Sequence, residues 1–241
     1  MSLEVWVGYD PREHLTYQTF VASLRETSPG LVIHKLDAQD LRQRGLFSRP
    51  WEITAEGQFL DKIDGKPFST HFAHTRFLVP HLARERNVEH ALFIDGDFIA
   101  LSDVRLVLNE INSSSAVSVV KHNFSESGIK MDNKQQVPYA RKLWSSFMLF
   151  NARNPYCQDL TPDAVNTKSG SYLHRFEWCP DNAIGALSEG WNYIPAHSEK
   201  HYQDTIHMIH YTRGTPEMPK YRKGPMTDIW YEALVRGLKN G

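Results

Sequence analysis

The sequence predicts an α/β fold, a mostly parallel sheet flanked by helices in a single domain. The first observation is a strand, helix and strand in succession: apolar runs at residues 3–8 and 31–36 flank a segment with helical periodicity. The second is an apolar run at residues 92–94 that ends in Asp95-Gly96-Asp97. The third is the length, because 241 residues suit one α/β enzyme domain. Ligands of such sheets bind where the parallel strands end.

The composition excludes several classes of protein. The net charge is −1, so no overall basic surface marks a binder of nucleic acid or of membranes. Cys157 and Cys179 are far apart and form no Cys-x-x-Cys pair, which is typical of reduced thiols. No basic, apolar leader opens the sequence and no apolar run has transmembrane length. We therefore expect a cytoplasmic protein without a membrane span.

The end of the first strand is a candidate binding site. Asp10, Pro11 and Glu13 match a helix N-cap, the first helical position and a capping-box acid, so a helix begins there and ends before Pro29-Gly30. Tyr9 could stack on a base or ring. Equally, Tyr9 could pack at the sheet edge while Asp10 only caps the helix.

Asp95 and Asp97 are candidate metal ligands. Alternate residues of an extended strand share a face, and carboxylate oxygens suit Mg²⁺ or Mn²⁺ carrying a diphosphate. Gly96 lets a ligand or backbone come close. The alternative is a hairpin, because Asp-Gly between two apolar runs is also a strong turn signal, with residues 98–101 as the returning strand.

Arg76 lies close to the apolar stripe of the next predicted helix. Residues 42–69 before it predict a surface loop or small hairpin, and the helix runs from residue 69 or 70 to residue 83 with a bend at Pro80. A buried arginine needs a carboxylate, and Asp95 or Asp97 is available. A surface arginine whose stem alone is covered is the alternative.

The second half of the chain predicts further strands and a short helix. A helix begins at Ser102-Asp103, strands cover residues 116–120 and 144–151, and residues 121–142 form a polar, basic loop. Ser145 and Ser146 leave room for a ligand or mark a bulge. We expect a short helix at residues 183–187 and a strand at residues 191–195.

The last predicted strand, residues 206–211, carries His207 and His210 on opposite faces. His210 lies next to a loop and is the better metal ligand, although a lone histidine on an apolar strand is more often a core residue. Arg213 and Lys220 belong to a basic Gly/Pro-rich stretch that could fold over an anion. A closing helix begins at residue 227 or 228.

Together these residues resemble the family 8 glycosyltransferases of the GT-A fold, over nearly the whole chain. The resemblance is carried by Asp95-Gly96-Asp97 after an apolar strand, Arg76 on the preceding helix, Asp181-Asn182, and a terminal Ile-His-Tyr-Thr-Arg-Gly. Residues 7–13, 144–146 and 173–178 are similar to a bacterial and phage branch of that group. The expected fold is one GT-A domain, residues 1–241, with a Rossmann-like nucleotide-binding half (1–101) and an acceptor-side half (102–241).

The resemblance implies transfer of sugar from a nucleotide sugar, usually a UDP-sugar, with retention. It also implies a role for each matched residue. Mn²⁺ or Mg²⁺ on the diphosphate would be held by Asp95, Asp97 and His210. The donor would be contacted by Tyr9, Asp10, Arg76, Asp95, Gly96, Ser145, Ser146, Arg213, Gly214 and Lys220. Catalysis at the anomeric carbon would involve Asp181 and Asn182.

Three positions depart from the family pattern. Trp144 replaces an asparagine before Ser145-Ser146, and Asn182 replaces the usual glutamine after Asp181. The family's Gly-x-x-Lys-Pro-Trp is replaced by residues 214–219, so Arg213 or Lys220 would supply the missing cation. The replacement by Trp144 predicts an altered sugar pocket.

Two other functions stay open. A nucleotidyltransferase of similar fold would need a Gly-rich basic loop after the first strand, which residues 8–12 do not supply. A binding module for carbohydrate or nucleic acid would need no metal ligands. The near-neutral charge favours a glycan or small hydroxylated acceptor over duplex DNA, although the basic residues between 130 and 142 could serve a nucleic-acid acceptor.

Overall fold

The computed structural model describes residues 2–123, 129–130, 134–135, 141 and 143–240. Its strands are β1 (Leu3–Tyr9), β2 (Val32–Asp37), β3 (Trp51–Ile53), β4 (Phe59–Asp61), β5 (Pro67–Phe68), β6 (His90–Ile94), β7 (Phe98–Ala100), β8 (Val117–Val120), β9 (Ile129–Lys130), β10 (Lys134–Gln135), β11 (Phe147–Asn151), β12 (Ile184–Leu187) and β13 (Met208–His210). A six-stranded sheet has the order β12-β8-β11-β6-β1-β2. β1 is parallel to β2 and β6, and β8 to β12, whereas β11 is antiparallel to both of its neighbours. The predicted mixed, mostly parallel sheet is confirmed.

Helices cover both faces of this sheet. They are α1 (His14–Thr27), α2 (Ala38–Gln43), α3 (Val79–Glu85), α4 (Pro155–Gln158), α5 (Pro162–Thr167), α6 (Gly170–His174) and α7 (Thr227–Asn240). Alternate residues of β1 point to opposite sides: Trp6 packs in the cluster that contains Leu82 of α3, and Val5 and Val7 pack with Leu24 of α1. Because both faces of the inner strands β1, β6, β8 and β11 are largely buried, polar groups that follow these strands meet solvent and ligands at the strand ends.

The first strand, helix and strand are arranged as predicted. Asp10 caps a 3₁₀ turn, Pro11–Glu13, by accepting a hydrogen bond from the Arg12 backbone N–H, and α1 follows at once. β2 then pairs in parallel with β1, with Glu4 beside Val32. On its other side β1 pairs in parallel with β6, with Val7 opposite Ile94, so the ends of β1 and β6 lie next to each other.

The hairpin alternative for Asp95-Gly96-Asp97 is wrong. β7 does not return along β6 but pairs with β13, where Phe98 is the direct partner of His210. The two residues after Gly96 therefore leave the central sheet and join a two-stranded ladder with the far end of the chain.

Residues 42–69 are more ordered than the predicted loop or small hairpin. β3, β4 and β5 form a three-stranded antiparallel sheet, with Gly65 at positive φ in the predicted Asp64-Gly65 turn. Arg49 and Asp61 form a buried ion pair beneath it. Arg49 also donates to the carbonyl of Val165, which fastens this small sheet to α5.

Other predicted elements differ in type. Where a helix was predicted at residues 183–187, the chain forms strand β12. Residues 191–195 contain the end of a 3₁₀ turn, Glu189–Asn192, and the predicted strand is reduced to a parallel bridge between Tyr193 and Ile209. The helix predicted from residue 69 is a 3₁₀ turn, Thr75–Leu78, followed by α3, and Pro80 lies in the first turn of α3. Asp103 caps a 3₁₀ helix, Val104–Glu110, as its N-terminal position predicted.

The closing helix is confirmed as α7, whose Trp230 and Ala233 are buried. α7 packs against α1. Among the described residues, no helix combines the length and the apolar character that crossing a bilayer requires. The prediction for the polar loop at residues 121–142 falls mostly outside the described residues.

Candidate functional site

The candidate site lies at one edge of the central sheet. We call it the carboxyl edge: the edge where β1, β6, β8 and β12 end and where β11, running the other way, begins. Asp95 follows β6 directly, and its backbone N–H donates to the carbonyl of Ser146 at the start of β11, at 2.9 Å. The predicted placement of the aspartates after a buried strand is confirmed.

Gly96 is required at this edge by a close backbone contact. A Cβ at residue 96 would lie 2.6 Å from the carbonyl oxygen of Gly8 in β1. Gly8 is constrained in turn, since a Cβ there would lie 2.7 Å from the ring of Phe72. The two glycines let the ends of β1 and β6 approach each other and fix the backbone that carries Asp95 and Asp97.

The β7–β13 ladder places His210 beside Asp97. The Tyr211 N–H donates to the Asp97 carbonyl at 3.0 Å, and His210 Nε2 lies 3.3 Å from Asp97 Oδ1. The ring of Phe98 stacks on the imidazole, with centroids 4.2 Å apart. Asp95, Asp97 and His210 each offer one ligand atom, and these three atoms lie within 4.8 Å of one another. Sequence reasoning named these three residues, and the structure brings them together.

These side chains fit a hard divalent cation. Two carboxylate oxygens and an imidazole nitrogen are donors that Mn²⁺ and Mg²⁺ accept. Adjacent oxygens around Mg²⁺, bound at about 2.1 Å, lie about 3 Å apart, which is close to the Asp97–His210 separation. His210 Nδ1 is 2.8 Å from Asn192 Oδ1, and an amide oxygen can only accept, so this nitrogen donates to Asn192 and Nε2 is the nitrogen that faces Asp97. A cation between the two atoms would satisfy both.

Arg76 adds a buried positive charge to the site. Its Nη1 lies 2.9 Å from Asp95 Oδ1 and donates to the Ser145 carbonyl at 2.7 Å. The guanidinium also lies over the ring of Phe93. The side chain is only 7% exposed, so the prediction of a buried arginine with an aspartate partner is confirmed and the surface alternative is wrong.

Ser145 and Ser146 are both buried in the 3₁₀ turn, Trp144–Ser146, that leads into β11. Ser145 Oγ lies 2.9 Å from His174 Nδ1, and Ser146 Oγ donates to the Leu143 carbonyl at 2.7 Å. Burial lowers the pKa of His174 to about 3, and the charge of Arg76 acts in the same direction. His174 is therefore neutral near pH 7. Both hydroxyls already serve contacts within the fold.

Tyr9 and Asp10 lie at the end of β1. The Tyr9 hydroxyl is 3.0 Å from His14 Nδ1, and its ring meets the edge of Tyr17. Asp10 is buried, and its oxygens accept from Arg12 and from the His71 backbone N–H. Burial raises the pKa of Asp10, but the hydrogen bonds and charge of Arg12 outweigh it and hold that pKa below the usual value. The contacts of Asp10 are those of a structural cap.

Glu13 is a carboxyl group that sequence reasoning treated only as a capping residue. Burial raises the pKa of Glu13 to about 8, and the negative charges of Asp97, Asp10 and Asp95 act in the same direction. The sequence could have indicated a place for Glu13 at the site, because Glu13 follows β1 by one short turn and therefore lies at the carboxyl edge. Near pH 7 the group is mostly protonated.

The basic stretch after β13 is held against two helices. Gly214 has φ +134°, and a Cβ there would lie 2.2 Å from the Tyr221 ring, so only glycine fits. Thr16 of α1 donates to Glu217 at 2.9 Å, and Tyr231 of α7 donates to the Pro216 carbonyl at 3.1 Å. Arg213 and Lys220 are exposed on this stretch.

The topology does not bring Asp181 and Asn182 together with the metal-ligand candidates. Both residues precede β12, which runs parallel to β6, so they lie where β12 begins and Asp95 lies where β6 ends. Four residues of strand separate the two edges by about 10 Å. The Asp181 side chain is 84% exposed and pairs with Arg141.

Glu189 and His122 lie at the carboxyl edge and were not predicted. Glu189 follows β12 and accepts from His201 Nε2 at 2.8 Å and from the Ser198 hydroxyl. His122 follows β8, and its Nδ1 is 3.9 Å from Glu189 Oε1. Burial lowers the pKa of His122 to about 4, although the charge of Glu189 opposes this shift. A strand prediction for residues 184–187 would have placed Glu189 at this edge.

Comparison with known proteins agrees with this architecture. No family model matches the chain. Protein CDI of Arabidopsis thaliana is 35% identical over 235 residues, which cover 95% of this chain and 85% of that protein.

Solved structures of glycosyltransferases share the fold. The apo form of GlyE from Streptococcus pneumoniae has a TM-score of 0.60 at 15% identity, covering 99% of this chain and 63% of GlyE. The galactosyltransferase LgtC, solved with donor and acceptor sugar analogues, has a TM-score of 0.59 at 9% identity, covering 96% of this chain and 95% of LgtC. The bifunctional glycosyltransferase WbbM has a TM-score of 0.55 at 11% identity, covering 97% of this chain and 50% of WbbM. The chain thus spans half of WbbM and less than two thirds of GlyE. It belongs to the family of Arabidopsis Protein CDI, and its fold is that of the GT-A glycosyltransferases.

Proposed function

We propose that the protein is a metal-dependent glycosyltransferase that moves a sugar from a nucleotide sugar to a hydroxyl acceptor. The observation that carries this proposal is the meeting of Asp95, Asp97 and His210 at the carboxyl edge of a GT-A sheet, within 4.8 Å of one another. In open α/β sheets this edge is where ligands bind. The family 8 resemblance adds a UDP-linked donor and retention of anomeric configuration to the proposal.

The three side chains would hold Mn²⁺ or Mg²⁺ against the donor diphosphate. A divalent cation at that place supplies charge neutralisation of the leaving group, which is a large part of the task in glycosyl transfer. Arg76 is held in place by Asp95 and the Ser145 carbonyl, so its charge would be positioned for a bound diphosphate with little further loss of side-chain entropy. Arg213 and Lys220 would approach the diphosphate from the stretch after β13.

Retention has two chemical routes. In a double displacement, a carboxylate beneath the sugar ring attacks the anomeric carbon and leaves again. Asp181, the sequence-based candidate for this role, lies at the opposite edge of the sheet with an exposed side chain. We therefore favour attack of the acceptor hydroxyl on the face of the leaving group, with its proton passing to a diphosphate oxygen.

A donor-cleavage assay tests the proposal. The protein is incubated with a panel of nucleotide sugars and Mn²⁺, and slow hydrolysis of the donor is followed with and without glycan acceptors. Release of UDP that Asp97→Asn abolishes and Asp103→Asn leaves intact supports a transferase. Exchange of pyrophosphate would indicate a nucleotidyltransferase instead, and no turnover with any donor would favour a binding module.

The acceptor is proposed to be a glycan or a small hydroxylated molecule. The net charge of −1 gives the protein no general attraction for nucleic acid. Tight binding to duplex DNA that weakens steeply with salt would overturn this preference and point to transfer onto a nucleic-acid base.

A further inference from the structure

Asn192 connects the candidate metal ligand His210 to residues at the ends of neighbouring strands. Its side chain is fully buried in the 3₁₀ turn after β12. Asn192 Oδ1 lies 2.8 Å from His210 Nδ1, and Asn192 Nδ2 donates to Ser146 Oγ at 2.9 Å. Its backbone carbonyl lies 2.9 Å from His122 Nε2. One residue thus joins the ends of β8 and β12 to the beginning of β11 and to β13.

The direction of these hydrogen bonds follows from the Leu143 carbonyl, which can only accept. Ser146 has one hydroxyl proton and donates it to Leu143 at 2.7 Å. Ser146 must therefore accept from Asn192, which places the amide NH₂ on that side and the amide oxygen toward His210. His210 then donates from Nδ1, because an amide oxygen can only accept.

These hydrogen bonds determine whether the other ring nitrogen of His210, Nε2, carries a proton. With the proton at Nδ1, a neutral His210 presents an unprotonated Nε2 to Asp97, 3.3 Å away. The opposite tautomer would turn Nε2 into a donor to Asp97, and it could not bind a cation. The ring is 1% exposed, so water cannot replace the amide oxygen.

We propose that Asn192 is a positioning residue that keeps His210 in the tautomer whose Nε2 binds the divalent cation. This inference rests on the proposed function, because it gives Asn192 a role toward the same metal. Partners of this kind orient metal-bound histidines, and removing one typically costs 10-fold to 100-fold in metal affinity.

Two substitutions separate positioning from packing. Asn192→Leu has a similar size but no acceptor, and we expect it to weaken Mn²⁺ binding 10-fold to 100-fold. Asn192→Asp keeps an oxygen toward His210 and loses the donor to Ser146, so Mn²⁺ affinity should stay at or above that of the wild type. If Asn192 only packs, the folded forms of both variants should bind Mn²⁺ alike.

A matched control is provided by the other histidine of the same segment. His207 Nδ1 lies 2.8 Å from Ser102 Oγ, and its ring stacks on Trp191, away from the aspartates. Ser102→Ala removes a polar partner from a histidine three residues before His210. Its Mn²⁺ affinity should equal that of the wild type.

Mn²⁺ binding is measured by electron paramagnetic resonance of the free ion, with metal alone and no donor. Nitrogen-15 NMR of the metal-free protein reports the tautomer, with the His210 signals identified by their loss in His210→Gln. The inference is supported if Nδ1 of His210 is protonated in the wild type and in Asn192→Asp. It also requires that Asn192→Leu lose both this protonation pattern and affinity for Mn²⁺. Equal Mn²⁺ affinity in wild type and Asn192→Leu overturns the inference about Asn192 but leaves the proposed metal dependence standing. Absence of Mn²⁺ binding in the wild type overturns both this inference and the proposed metal dependence.

Discussion

Arg76 and Asp95 form an ion pair that is almost closed to solvent, with Nη1 and Oδ1 2.9 Å apart. The same nitrogen donates to the Ser145 carbonyl at 2.7 Å. Arg76 therefore connects the first aspartate of the site to the turn before β11. In the proposed function, its positive charge would also lie close to the diphosphate of the donor.

Replacing Arg76 should damage both stability and donor binding. Arg76→Met leaves Asp95 and the Ser145 carbonyl without their donor, and removing one partner of a buried pair costs about 3–5 kcal/mol. Arg76→Lys keeps the charge but not the planar guanidinium, so its loss should be smaller. Urea unfolding measures both changes. Arg105→Met, which breaks the exposed pair with Asp103, is the control and should change little. Equal stability of Arg76→Met and wild type would show that the pair contributes nothing.

Stability should fall as the pH drops below about 6.5, in part because of His174. Burial lowers the pKa of His174 to about 3, so between about pH 3 and pH 6.5 the unfolded chain binds a proton that the folded chain does not. Protons bound by the unfolded state make stability rise with pH, and one such histidine removes about 2 kcal/mol between pH 7 and pH 5.

The measurement is urea unfolding at pH 7 and at pH 5. His174→Gln, which has no titrating ring, should lose less stability on acidification than the wild type. An unchanged pH dependence in His174→Gln would contradict the assignment.

UDP and Mn²⁺ together should stabilise the protein much more than either alone. A ligand at 100 times its dissociation constant adds about 2.7 kcal/mol to the free energy of unfolding. Asp97→Asn keeps the shape and removes the charge, so it should fold and lose this joint increment. His210→Ala should also weaken it. His207→Ala loses the stacking on Trp191 but should keep the increment. Thermal unfolding measures all four proteins, and identical shifts in wild type and Asp97→Asn would defeat the metal assignment.

Gly96→Ala should displace the backbone that carries Asp95 and Asp97 without changing either side chain. The new Cβ would lie 2.6 Å from the Gly8 carbonyl oxygen, so the backbone after β6 must shift away from β1. We expect lower stability and a smaller effect of UDP with Mn²⁺ in thermal unfolding. At Gly224 the nearest atom would lie at an ordinary 3.5 Å, so Gly224→Ala is the control. A normal ligand effect in Gly96→Ala would mean that the close contact is not needed.

The sequence predicted the parts of the site that depend on local pattern. Asp95 and Asp97 follow an apolar run, and His210 lies at the end of another, so periodicity alone placed each at a strand end. Asn192 gave no such signal, because its role arises from contacts with Ser146 and His210, which are distant in sequence.

The main error came from residues 183–187. Ala and Leu there favour helix, but parallel pairing with β8 makes the segment a strand. In this strand, Asp181 lies before the beginning of β12 and Glu189 lies after its end, at the carboxyl edge. Tertiary pairing, which no local window contains, therefore decided which carboxylate lies near the candidate site.

The β7–β13 ladder also has a consequence for biosynthesis. Asp97 leaves the ribosome more than 100 residues before His210, and the two meet only when β13 pairs with β7. A chain still under synthesis can form the β1–α1–β2 unit and can expose both aspartates, but it lacks the third ligand. The proposed cation site would therefore be complete only after β13 has been synthesised and has paired with β7, and closing so long a loop is a slow, late event in folding.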